Sequence, residues 1–198
     1  MALKFQYNKI TIQAFRRQLA IRKRALPILQ NKETALRKEV KTLSQALQEL
    51  ERERTVLQQR LELYAEFWVE FPHILKLRDL GIYQKSVVGV RIPDIKQIQF
   101  DLEDVAWWQE RPWLPGGIDV LMQAIEMDLK IRIMKEQIEL LHQARKKTTQ
   151  KVNLYEKVQI PEYEDAILKI KRFLEDRENI SKAAQKIMKK RKEVATGS

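Results

Sequence analysis

The sequence predicts an all-α-dominated fold: a long antiparallel two-helix left-handed coiled coil with a small insertion, a short β-hairpin plus a loop or short helix, at the turn. Three observations predict it. Apolar residues recur at alternating steps of three and four over residues 12–68, and a second such repeat fills the C-terminal half. Between them, residues 72–117 hold four of the six prolines and four of the five glycines, so few helix-breaking residues remain elsewhere.

The first element spans residues 1–71. Of the seventeen positions reached by 3–4 stepping from Ile12 to Trp68, fourteen are apolar, which is the 3.5-residue repeat of a left-handed supercoil. Arg22, Glu33 and Arg54 are the exceptions; long charged side chains can lie along such a seam with their heads in water. Pro27 falls within the repeat and reads as a candidate start of the main helix, since proline is tolerated in a first turn.

The insertion spans residues 72–117. Its stretch 87-VVGVRIPDI-95 is β-branched and bounded by Gly81, Gly89 and Pro93, which predicts a short strand or hairpin. Trp107, Trp108 and Trp113 follow. A thin rod has little interior for them, so either the insertion forms its own small core or they meet a partner.

The last element spans residues 118–198. Its repeat runs from Met127 to Tyr155 and resumes five residues later at Ile160, continuing to Met188. That phase change lies beside Pro161 and predicts a bend or a shift of register there. Two such helices joined by a compact turn run antiparallel, each roughly 90 Å long for ~60 residues, placing residue 10 near residue 190.

Charge sharpens the picture. The net charge is +11, yet residues 1–25 hold seven bases and no acid, and residues 179–198 hold six bases against one acid. An antiparallel rod therefore carries a positive tip, with Arg16, Arg17, Arg22, Lys23 and Arg24 on one helix and Lys186, Lys189, Lys190 and Arg191 on the other. There is no cysteine, which excludes disulfides and thiolate metal sites. The N-terminus lacks a signal-peptide core, and no run reaches the roughly 18 apolar residues of a membrane span; a cytoplasmic location is expected.

No constellation for catalysis, cofactor or metal binding is visible. His73 and His142 lie in different segments without metal-ligand spacing, and neither a phosphate loop nor a dinucleotide fingerprint is present. Carboxylates such as those in 162-EYED-165 alternate with bases and read as solvated faces. The residues leave two classes of function open: a coiled coil whose basic tip grips nucleic acid, or a scaffold. Only the scaffold predicts long homodimers; an intramolecular rod is a monomer.

The stretch 151-KVNLYEKVQIPEYEDAI-167 resembles a run typical of the D subunit of the V-type (A/V-type) rotary ATPases, with Val152, Asn153, Val158, Ile160, Pro161, Glu164, Asp165 and Ile167 in register. The stretches 88-VGVRIPDI-95 and 8-NKITIQAFRRQLAIRKRALPILQNKETAL-36 are similar to two further parts of that family, with departures at Arg24-Ala25, Pro27 and Glu33-Thr34. The resemblance implies a non-catalytic central rotor shaft without cofactors, peripheral to the membrane. Its basic tip would contact the A- and B-type head subunits. Val88, Gly89, Val90, Ile92, Pro93, Trp107, Trp108 and Trp113 would face the stalk partners, the small F subunit and the funnel-shaped C (d) subunit above the membrane ring. Pro161 would bend the shaft, and no nucleic acid would be bound.

Overall fold

The computed structural model describes residues 5–63, 65, 66, 68–70, 74–103 and 112–196. Helix α1 (Lys9–Leu63) opens at Asn8, whose Oδ1 accepts the Thr11 amide at 2.7 Å, satisfying one of the donors that a helix start leaves without a partner. The helix runs straight through Pro27, so Pro27 is not a helix start. Its ring faces solvent while Leu26 and Leu29 beside it are half-buried in the seam, and that packing holds the helix against a local cost of about 3 kcal/mol. Beyond α1, a 3-10 turn (Trp68–Glu70) returns the Trp68 indole N–H to the Leu61 carbonyl at 2.9 Å, occupying one of the last carbonyls of the helix.

Strands β1 (Leu75–Val87) and β2 (Val90–Leu102) form an antiparallel hairpin that extends well beyond the stretch where strand chemistry is evident. Two register shifts interrupt it, one between Leu77 and Asp79 and one at Gly81/Ile82. Each would turn the following side chains to the other face; one adds a residue to β1 and the other a residue to β2, so together they restore the register. At the second shift a Cβ on Gly81 would lie 3.0 Å from Gln97 Cγ, so a larger residue there would need the Gln97 side chain to give way. The tip is a two-residue turn in which Val88 and Gly89 both have positive φ, 51° and 73°, as the commonest hairpin turns demand. For valine this conformation costs roughly 1–2 kcal/mol.

Helix α2 (Leu114–Asn153) follows, with Pro115 in its first turn, where a missing N–H costs nothing. It passes through a π-helical turn (Leu154–Gln159) into helix α3 (Ile160–Thr196). The chain divides into two compact units, Met1–Asn31 with Thr148–Ser198, and Lys32–Lys147. No helix among the described residues is long and apolar enough to cross a membrane.

In the unit of residues 32–147, α1 and α2 pair antiparallel. Glu33 meets Arg145 at 3.2 Å, Glu51 meets Lys135 at 2.8 Å, and Arg54 pairs with Asp128. The 3–4 seam is borne out: over α1 as a whole, every stepped position from Ile12 to Leu61 is buried or half-buried except Arg54. The core forms where the hairpin tip lies on the helices. Leu36, Ile92 and Leu141 are buried together, with Val88 and Val90 packed against them, and this packing offsets the strain at Val88. Gln137, also buried, donates to the Pro93 carbonyl at 2.6 Å, so α2 holds the hairpin at a second point.

Glu33 bears on pH. Burial alone raises its pKa, but hydrogen bonds from Arg37 (3.0 Å) and Arg145 (3.2 Å) and their charges outweigh burial and hold it below the usual 4.5. A carboxylate with a lowered folded pKa stabilises above its unfolded value, and that stabilisation is lost as pH falls through the folded one. Urea midpoints should therefore fall below pH 4.5, and less steeply in Glu33→Gln. Identical pH profiles for the two proteins would remove Glu33 from the account.

Candidate functional site

The basic surface lies on the unit formed by the start of α1, the π turn and α3. Its local architecture begins with a chain of rings: Tyr163 against Phe15 (5.3 Å between centroids), Phe15 against Phe5 (5.8 Å), Phe5 against Tyr7 (5.4 Å) and Tyr7 against Phe173 (4.7 Å). Phe5 and Tyr7, ahead of α1, thus fold over both helices.

The π turn accounts for the five-residue phase jump. The Ile160 amide donates to the Tyr155 carbonyl, five residues back, so the helix gains one residue and the seam resumes at Ile160 instead of Gln159. Pro161 follows at once. In an α-helix its ring would press on the carbonyl of residue 157 and it would donate no bond there; the wide turn has already displaced that stretch. From Ile160 to Leu174 all five stepped positions are buried or half-buried.

Arg22 faces this irregularity. Its Nε donates to Gln159 Oε1 at 2.6 Å, its Nη1 reaches Gln18 Oε1 at 2.7 Å, and its guanidinium lies 4.7 Å from the Tyr163 ring centroid and 5.8 Å from that of Tyr155. The expectation of a head in water is corrected here, as it is for Glu33 with Arg145 in the other unit; Arg54 keeps its head exposed, paired with Asp128. Each polar break in the seam has a polar partner on the facing helix. Lys23 pairs with Glu164 at 2.6 Å, so that carboxylate ties α1 to α3.

The remaining bases face outward. Arg16 borders an open groove with Lys9, Ile12, Lys171, Leu174 and Glu178. Arg17 and Arg24 are exposed, as are Lys186, Lys189, Lys190 and Arg191 on α3. The two basic groups are not flush. Lys9 lies beside Glu178, within a groove that ends at Ser181, and not beside residue 190. The seam positions Ser181, Ala184 and Met188 are consequently exposed, because α1 begins too late in the chain to cover them.

In the hairpin unit, Ile92 and Pro93 are buried, Val88 and Val90 are half-buried, and Gly89 is exposed. Trp113 is half-buried against the cluster of Ile74, Leu114 and Ile118, with its ring over Gly117, where a Cβ would lie 3.2 Å from it. Trp107, Trp108 and His73 lie outside the described residues. The outer hairpin surface keeps Leu77, Ile82 and Tyr83 exposed. Sequence reasoning missed Gln159, Asp128 and Gln137 as partners. Knowing the register would have found the first two, since they fall opposite Arg22 and Arg54.

The family model for the D subunit of ATP synthase matches residues 11–190 of the chain. The V-type ATP synthase D subunit of Borreliella burgdorferi is 29% identical over 194 residues, covering 94% of each chain. The proteins of the same name from Coprothermobacter proteolyticus and Thermotoga neapolitana are 23% and 24% identical, covering 90% and 83% of this chain and 90% and 87% of their own.

Proposed function

We propose that this chain, which belongs to the D-subunit family of ATP synthases and is one component of a rotary ATPase, is the central shaft of the rotor. The observation that carries the reading is an end-biased surface. Residues 1–32 contain no acid, and Arg16, Arg17 and Arg24 stay exposed while Arg22 and Lys23 are tied to partners across the seam. Such a surface suits insertion among the A- and B-type head subunits, and charge contacts of this kind are non-directional enough to let a shaft turn. The exposed bases of α3 extend it.

At the hairpin, the outward residues Leu77, Ile82 and Tyr83, with Gly89 and the half-buried Val88, Val90 and Trp113, offer the surface for the F subunit and the C (d) subunit; the side chains of Ile92 and Pro93 are taken up inside. The shaft performs no chemistry. Its asymmetry, with the π turn and Pro161 on one helix only, biases the catalytic interfaces of the head unequally as it rotates, and this differential interaction couples ATP hydrolysis or synthesis to ion transport. The chain would belong to the soluble sector, peripheral to the membrane.

Native mass spectrometry of the chain co-expressed with its organism's head subunits and F subunit tests the reading. One copy of this chain per hexameric head is the expected result, and charge neutralisation at Arg16, Arg17 and Arg24 should lower coupled ATPase activity. A chain that stays alone or forms homodimers would overturn it.

A further inference from the structure

Between β2 and α2, within the unit of residues 32–147, lies a cavity of about 400 Å³, the size of a small-molecule site. One end of it is the bond from Gln137 to the Pro93 carbonyl. A carbonyl only accepts, so the amide nitrogen of Gln137 lies on that side and its Oε1 on the other. That oxygen accepts no hydrogen bond from any described residue, although Gln137 is only 7% exposed. Because Gln137 lines the cavity, it presents there a buried acceptor held in place by its own amide nitrogen. Away from this end the lining runs through Ile133, Met134 and Lys130 of α2 and through Ile95, Lys96 and Ile98 of β2. Lys130 lies seven residues from Gln137 on the helix, and Lys96 three residues from Pro93 on the strand. Each is therefore roughly 10 Å from the acceptor, with apolar side chains between.

The register of the hairpin singles out Lys96. It is the extra residue of β2 at the Gly81/Ile82 shift, opposite no residue of β1, and a bulge of this kind re-aims a side chain. Lys96 makes no hydrogen bond or ion pair with any described residue, whereas Lys130 meets Glu126 at 3.5 Å and Asp94 is taken up by Tyr83 and Lys85. We infer that this cavity binds an adenine nucleotide. The exocyclic amino group donates to Gln137 Oε1, the ring lies among Ile95, Ile98, Ile133 and Met134, and the phosphates reach Lys96 and Lys130. The Met134 thioether favours an aromatic ring over an aliphatic chain. The fixed acceptor rejects a ring that carries a carbonyl in place of the amino group, because two acceptors would then face each other. A bound nucleotide joins β2 to α2 at the end of the cavity remote from the Gln137 bond, so the anchorage of the hairpin becomes sensitive to nucleotide. The site is separate from the basic surface of α1 and α3 and does not depend on the shaft reading.

Calorimetric titration of the full chain with ADP, inosine diphosphate and pyrophosphate tests the site. One ADP per chain should bind in the submillimolar range. Inosine diphosphate, whose ring has a carbonyl where ADP has the amino group, and pyrophosphate, which has no ring, should each bind about tenfold more weakly or worse. K96E/K130E should weaken ADP binding about tenfold or more and leave the unfolding midpoint unaltered, since both lysines are exposed. ADP should also slow amide exchange along residues 94–98 and leave the basic end of α3 unchanged. The site is overturned if ADP does not bind at ~5 mM, if inosine diphosphate or pyrophosphate binds as well as ADP, or if the double charge reversal leaves binding intact. The last result would assign the nucleotide to the exposed bases of α1 and α3 instead.

Discussion

Replacing Leu36 with alanine is expected to destabilise the protein by about 2–5 kcal/mol, the range for removing a fully buried leucine from a core that cannot collapse around the gap. Leu36 has no accessible surface, and it meets Ile92 at 2% and Leu141 at 0%. Three elements, α1, β2 and α2, converge there, so the site cannot relax by moving one of them alone. The loss should appear in the urea midpoint and in faster amide exchange along β2, because the hairpin is held to the helices at this point and at the Gln137 to Pro93 bond. Leu141→Ala should behave alike. The double variant should cost less than the sum of the two, since the residues share one cavity. A Leu36→Ala protein within about 1 kcal/mol of wild type would show that the hairpin is not anchored here.

The second large effect concerns Arg22. Alanine there removes a charged hydrogen bond to Gln159 and two ring contacts. A hydrogen bond to a charged group contributes about 1.5–3 kcal/mol and a cation–π contact about 0.5–2. Because all three share one side chain and part of it is solvated, about 2–3 kcal/mol is the expected total. Lysine keeps the charge but not the plane that lies over the two tyrosines, so Arg22→Lys should recover less than half. Exchange at the Ile160 amide, which closes the π turn, should accelerate in both variants. A lysine variant as stable as wild type would reduce the role of Arg22 to charge alone.

What could be read from the sequence follows from how each feature is encoded. The seam is a one-dimensional pattern, and burial reproduces it along α1 except at Arg54 and from Met127 to Leu174, including the jump from Tyr155 to Ile160. An inserted residue shifts a phase visibly even when the wide turn that absorbs it has no sequence signature. The hairpin was evident only near its tip. Its outer stretches carry Lys76, Arg78, Asp79 and Lys96, and two compensating register shifts break the alternation that marks a strand. The partners of Arg22 and Arg54 depend on the register between helices, which neither helix encodes alone. Of the candidate site, the basic composition was readable, but the division between bases tied across the seam and bases facing out was not. That division depends on which tyrosine, glutamine or glutamate lies opposite.

The left-handed Val88 has a consequence for the order in which the protein forms. A two-residue turn usually nucleates its hairpin because asparagine or glycine enters that conformation without cost; valine resists it until the Leu36 and Leu141 side chains are there to receive it. The tip is therefore a late event. The helices should meet first, and the strands should close onto a surface that already exists. Val88→Ala should accordingly speed unfolding and leave the folding rate almost untouched, whereas a matching loss in the folding rate would place the turn in the nucleus. In this protein the hairpin is assembled on a template.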